Sequence, residues 1–166
     1  MPIPVVTIIG KSKSGKTTLL EKLIPVLRQK GYRVGTLKHH SHPGFEVDQP
    51  GKDSWRHAQA GSQQVVIAAP DKIASYRFIE AELSLDDVLG EFRDVDIILV
   101  EGYKQAKKPS IEIVRAERGI ELIGSIEQWI AVATDTQLDV PVPQFDLDDS
   151  IGIVSLLEGL FPDKKK

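Results

Sequence analysis

The 166-residue sequence contains no cysteine. Disulfides and thiolate metal sites are therefore excluded, and the absence fits a cytoplasmic setting. No apolar stretch approaches the roughly 20 residues that a bilayer span requires. The opening MPIPVV lacks the charged n-region of a secretory signal, so none is expected. Positive charge is not in excess either: 21 Lys and Arg against 24 Asp and Glu leave a net charge of −3. Neither nucleic acid nor an anionic membrane surface is expected as a partner. What is present, 41% hydrophobic and 27% charged residues, suits a single globular domain over residues 1–166 with no linker or internal repeat. The closing Lys164, Lys165 and Lys166 read as a solvated tail.

Val5 to Ile9 is a continuous apolar, β-branched run, the pattern of a strand buried on both faces. From Thr17 onward Leu19, Leu20, Leu23, Ile24 and Leu27 make one stripe of an amphipathic helix, interrupted by Pro25 and closed by Gly31. YRVGTLK (32–38) reads as a second strand, completing a βαβ unit. Residues 39–54 have no period and read as a long loop of the kind that carries function. SWRHAQAG supplies one or two helical turns. QQVVIAAP and KIASYRFI predict a hairpin over residues 64–79. SLDDVLGEF predicts a short helix, and VDIILVEGY, KKPSIEIVR and WIAVATD predict further strands. A final helix follows, with Ile151, Val154, Leu157 and Leu160 on one face.

Between the first strand and helix, Gly10 to Thr17 reads GKSKSGKT, matching G-x-x-x-x-G-K-[ST]. Glycines at Gly10 and Gly15 let the backbone wrap a phosphate, while Lys11, Ser12, Lys13 and Ser14 line the turn. The helix start directs amide donors from Ser14 to Thr18 at an anion. Lys16 is placed for the β and γ phosphates, and the Thr17 hydroxyl for magnesium. Such a site needs a strand-end carboxylate near the metal, and Glu101 after IILV supplies one. Lys16 and Glu101, with Asp48 from the long loop, are the candidate catalytic residues. Thr17 and Glu101 are the candidate metal ligands. Lys11 occupies the place where one branch of such ATPases, the MinD-like branch, carries a lysine that reaches phosphates in a partner subunit; a solvated loop lysine is the other reading. Arg56 suits bidentate phosphate contact or a local cap. Asp135, after an apolar strand, suits base recognition or a turn. His39, His40 and His42 allow a nickel or zinc site, but adjacent strand residues point to opposite faces and no thiolate helps, which favours a loop that positions His and Lys near the phosphates.

GKSKSGKTTLLEKLIPVLRQKGYRVGTLKHH, DQPGKDSWRHAQAG and DIILVEGYK together resemble the MobB family of molybdopterin-guanine dinucleotide biosynthesis adapter proteins. The likeness spans most of residues 5 to 105, and IAVATD extends it. It implies a three-layer α/β P-loop fold with a mostly parallel central sheet extended by the hairpin. It also implies GTP and magnesium as ligands, weak GTPase activity, a homodimer, and a partner enzyme that joins GMP to molybdopterin. The usual N/T-K-x-D guanine signature is absent, so GTP rather than ATP follows from the resemblance alone. Three other readings of the loop remain open: a nickel-insertion GTPase, a small-molecule kinase or ligase similar to dethiobiotin synthetase, and a pure binding module with negligible hydrolysis.

Overall fold

The apolar run that opens the chain becomes strand β1, Val5–Gly10, and both its faces are covered: Val6, Ile8 and Ile9 are almost completely buried. The structure is a computed structural model that describes residues 3–161; the lysine tail expected at 164–166 lies outside them. Helix α1, Lys16–Gln29, follows, with Leu19, Leu20, Leu23 and Leu27 buried and Pro25 accommodated within it. Strand β2 is Val34–Lys38. The chain then divides into two compact units, one formed by the segments up to His39 and from Leu85 onward, the other by His40–Ser84.

The second unit contains helix α2, Asp53–Gln59, and strands β3, Gln64–Ala69, and β4, Lys72–Arg77. The expected hairpin therefore forms, with Ala69 opposite Lys72. It stands as its own two-stranded sheet, not hydrogen-bonded to the central one. Its apolar residues are left largely uncovered: Val65 is the one buried residue across both strands, while Val66, Ile67 and Ile73 stand in solvent.

The first unit resumes with α3, Leu85–Leu89, then β5, Ile97–Glu101, β6, Ser110–Val114, β7, Trp129–Thr134, the short β8, Gln144–Phe145, and α4, Ser150–Leu160. Its six strands lie in the order β2-β5-β1-β6-β7-β8, and each pairing is parallel. This is an α/β fold with β1 near the middle. α1 and α4 pack together with strand residues Ile8, Leu99, Ile111 and Ala131 in the largest core cluster. A smaller cluster joins Leu85 of α3 to Ile98 and Val100 of β5.

The final helix is where expected but turned about its axis. Ile153, Val154 and Leu157 are buried, whereas Ile151 is 67% and Leu160 47% exposed. SIGIVSLLEGL is apolar nearly all round, so its periodicity leaves the phase undefined. The Asp149 carboxylate caps it by accepting from the Gly152 N–H at 2.8 Å.

Glu112 is the least expected core residue, buried in mid-β6 with 1% exposure. Its carboxylate accepts hydrogen bonds from Ile123 N (2.7 Å), Gly124 N (2.9 Å) and Trp129 Nε1 (3.0 Å). A buried acid without such partners would be costly; here it pins Ile123 and Gly124 against the sheet. Gly124 is required at that crossing, since a Cβ there would stand 2.5 Å from Ile9 Cδ1 and from Trp129 Nε1. Glu112→Ala leaves three donors without an acceptor and should destabilise the fold by about 3 kcal/mol, hydrogen bonds to a charged group being the stronger kind. Urea unfolding checks this, and a change indistinguishable from zero would mean that solvent replaces the carboxylate.

Candidate functional site

Parallel pairing brings the strand C-termini to one edge, where β1 ends at Gly10, β5 at Glu101 and β6 at Val114. The glycine-rich loop thus leaves the sheet between the residues that follow its two neighbours. Gly10 and Gly15 adopt positive φ, +148° and +102°. A Cβ on Gly10 would stand 2.6 Å from the Ile113 carbonyl oxygen and 2.7 Å from Ser14 Oγ, so only glycine fits. Lys13, at φ 60°, turns the loop in a conformation that side chains rarely adopt. Ser14 is buried, and its hydroxyl has no hydrogen-bond partner among the described residues. Ser12, Lys13, Thr17 and Thr18 are exposed around it.

Lys16 folds back over its own loop, Nζ donating to the carbonyls of Gly10 (3.0 Å) and Lys11 (2.8 Å). Its pKa is held below the ordinary 10.5, first by desolvation; Glu101 opposes that shift and Lys38 adds to it. The Thr17 hydroxyl donates to Glu101 Oε2 at 2.9 Å, so the two candidate magnesium ligands meet although 84 residues apart in sequence. Glu101 Oε1 lies 3.4 Å from Lys38 Nζ. A hydroxyl beside a carboxylate is a hard-oxygen donor pair, suited to magnesium, which keeps waters and phosphate oxygens for its other positions. After Glu101 the chain turns through positive φ at both Gly102 (+100°) and Tyr103 (+52°). The Tyr103 ring packs against His39, with centroids 4.2 Å apart.

Lys11 is engaged within its own chain: Nζ donates to the Arg118 carbonyl at 3.1 Å and pairs with the Glu121 carboxylate. That contact keeps the Glu121 carboxyl below its ordinary pKa. Asp135 accepts from the Ala116 N–H at 2.8 Å, fixing the turn that leaves β6. Asp48 and Arg56 lie in the second unit. Asp48 accepts from the Gln49 N–H and the Tyr76 hydroxyl, each at 2.8 Å, joining its loop to β4. Hydrogen bonding from Ser54, opposed by partial desolvation and assisted by Tyr76 and Gln49, lowers its pKa. Arg56, on α2, stands 3.8 Å from Asp53 in a loose pair of exposed side chains. Among the described residues no three His, Asp or Glu side chains are grouped so as to hold a metal. The three histidines of residues 39–42 are thus not assembled as ligands; His40 Nδ1 instead lies 2.8 Å from the His42 carbonyl oxygen.

Sequence reasoning missed Lys38, Arg115 and Glu121. Arg115 follows β6, and its Nε donates to the Ser14 carbonyl at 2.8 Å. Its one sequence signal was a position just past a buried strand, which acquires meaning only when that strand is known to lie beside β1.

The profile of the MobB family, molybdopterin guanine dinucleotide synthesis protein B, matches residues 5–135. The chain is 40% identical over 158 residues to the molybdopterin-guanine dinucleotide biosynthesis adapter protein of Haemophilus influenzae, covering 94% of this chain and 88% of that one. It is 36% identical over 162 residues to the protein of that name from Escherichia coli, covering 93% and 91%. A crystal structure of molybdopterin-guanine biosynthesis protein B superposes with a TM-score of 0.73 at 30% identity, over 94% of this chain and 99% of the other. The crystal structure of Bacillus subtilis MobB superposes with a TM-score of 0.73 at 26% identity, over 99% and 100%.

The Lys16 shift has a measurable consequence. An anion drawn to Nζ raises the pKa that desolvation has lowered. Between the two values the free side chain is neutral and the occupied one charged. Polyphosphate binding at the loop should therefore take up a proton at alkaline pH and none through Lys16 near neutrality. Calorimetry in two buffers of different ionisation enthalpy reads this directly; identical binding heats at alkaline pH would exclude Lys16 from the contact.

Proposed function

We propose, because this chain belongs to the MobB family, molybdopterin guanine dinucleotide synthesis protein B, that it is an adapter in molybdopterin-guanine dinucleotide biosynthesis that binds GTP with magnesium and hydrolyses it weakly. The observation that carries the nucleotide reading is the meeting of Lys16, Thr17 and Glu101 at the loop that joins β1 to α1. Loop amides and the start of a 14-residue helix supply donors and a positive dipole end for the phosphates. Lys16 exchanges two carbonyl oxygens for phosphate oxygens, a stronger, charge-assisted contact. Thr17 and Glu101 would hold magnesium, which when bound neutralises charge on the phosphate oxygens. Asp135 orders the β6 exit and stands at the strand-end edge where a base would lie; GTP over ATP rests on the family. For Asp48 and Arg56, in the second unit, a role toward the γ-phosphate or the pterin likewise rests on the family.

The partner is the enzyme that joins GMP to molybdopterin, and the working state is a homodimer. Support for the dimer comes from the hairpin, where Val66, Ile67 and Ile73 are 58%, 45% and 73% exposed on strands with a free edge. The ungrouped histidines disfavour the nickel-insertion reading.

Titration with GTP and magnesium tests the central point, and absence of binding would end this reading. In Lys16→Ala the affinity should fall by about tenfold or more, since a charge-assisted contact of roughly 1.5–3 kcal/mol is lost. Hydrolysis should slow further still. Unchanged turnover in that variant would show that Lys16 takes no part. For the dimer, Ile73→Asp should shift sedimentation toward the monomer; a sedimentation profile identical to wild type would place the contact elsewhere.

A further inference from the structure

We infer that Arg115 is a positioning residue of the nucleotide site, aiming the Gly15 amide at the phosphates from outside the loop. The inference rests on the reading of Gly10–Thr17 as a nucleotide site and adds to it a residue that the loop motif does not contain. Arg115 Nε donates to the Ser14 carbonyl oxygen at 2.8 Å, across 101 residues of sequence. That carbonyl and the Gly15 N–H belong to one planar trans peptide, in which the two bonds point in opposite directions. Holding the oxygen toward the guanidinium therefore turns the N–H away from it. The peptide needs such a hold, because Gly15 has φ +102° and glycine resists rotation poorly.

The guanidinium also sits tightly. A Cβ on Gly15 would stand 3.3 Å from Arg115 Nη2 and 3.4 Å from Nε. The planar fork thus lies against the backbone that joins loop to helix, bringing a permanent positive charge to the anion-binding end of α1. Its own base is fixed by the Asp135 carboxylate, which accepts from the N–H of Ala116. Asp135 acts here by holding the residue after Arg115. A chain of three contacts, Asp135 to Ala116, Arg115 to Ser14, and Ser14 to Gly15 through the shared peptide, ties the ends of β6 and β7 to one amide. Beside that amide Ser14 Oγ is buried without a partner among the described residues, a polar atom that a bound phosphate would satisfy.

The test measures GDP affinity in the presence of magnesium for the full chain and for Arg115→Ala and Arg115→Lys. Failure of the wild-type protein to bind would overturn the nucleotide reading itself. Given wild-type binding, Arg115→Ala should lose about tenfold or more, the size of a charge-assisted hydrogen bond, and millimolar guanidinium ion should recover much of it. Unchanged affinity, or a loss that guanidinium leaves untouched, overturns the inference. Arg115→Lys keeps the charge and most of the bulk but has no Nε donor. Circular dichroism checks the folding of both variants, and the lysine variant carries the test where the alanine variant does not fold. The lysine variant should bind several-fold more weakly than wild type; affinity equal to wild type would show that charge alone suffices and that the Ser14 hydrogen bond positions nothing.

Discussion

The conformation of two glycines beside a central strand is the constraint on which the rest depends. Gly10 leaves β1 so close to β6 that a single added carbon would stand 2.6 Å from the Ile113 carbonyl oxygen. Gly15 then turns the chain through φ +102° into α1. Backbone that tight directs amides inward and leaves side chains of the loop, Ser12 and Lys13, at the surface. The parallel sheet supplies the neighbours: β5 delivers Glu101 on one side and β6 delivers Arg115 on the other. With the strands paired in register, Lys38 on Glu101 and Gly10 on Ile113, Glu101 reaches Thr17 and Arg115 reaches the Ser14 carbonyl.

Much of this was legible from residue patterns because local and global preferences agree. β1, α1 and β5 are long apolar runs with unambiguous period, and the loop between the first two has the glycines, lysine and threonine that phosphate chemistry asks for. Glu101 could be placed because IILV must be buried and an acid immediately after it must emerge at a strand end. Legibility ended where the signal was not periodic. Two-residue β8 is held by one neighbouring strand and has no pattern of its own. α4 is apolar on most of its surface, so its existence was readable and its buried face was not. The hairpin was readable from its turn and alternation, whereas its pairing partners depend on burial that no local rule reports.

Two of the functional residues that escaped, Arg115 and Lys38, share a property: each owes its role to a strand neighbour remote in sequence. Lys38 reaches Glu101 because β2 lies beside β5, and Arg115 reaches Ser14 because β6 lies beside β1. Strand order is the most non-local fact in the fold, and a single sequence carries it weakly. Glu112 escaped for a different reason. An acid within an apolar strand reads as a solvated alternation, and only the arrival of three N–H donors from 123, 124 and Trp129 makes its burial favourable.

Those three donors bear on how the loop can respond to a ligand. Glu121 and the Arg118 carbonyl, the two groups that hold Lys11, lie just before the residues that Glu112 pins, Ile123 and Gly124. The two attachments differ greatly in strength. Glu112 is 1% exposed and makes three hydrogen bonds in a low-dielectric interior. Glu121 has 76% of its side chain in solvent, and an exposed pair of that kind contributes about 0–1 kcal/mol. A phosphate at the loop could therefore draw Lys11 from Glu121 at small cost while the segment beneath stays seated on the sheet. The strong bonds thus lie in the scaffold and the weak ones at the surface that a ligand meets. The same division holds for Lys16, whose two carbonyl contacts are individually modest and jointly replaceable by one phosphate. The peptide beneath it, Ser14–Gly15, is braced by an arginine whose own position is fixed from β7.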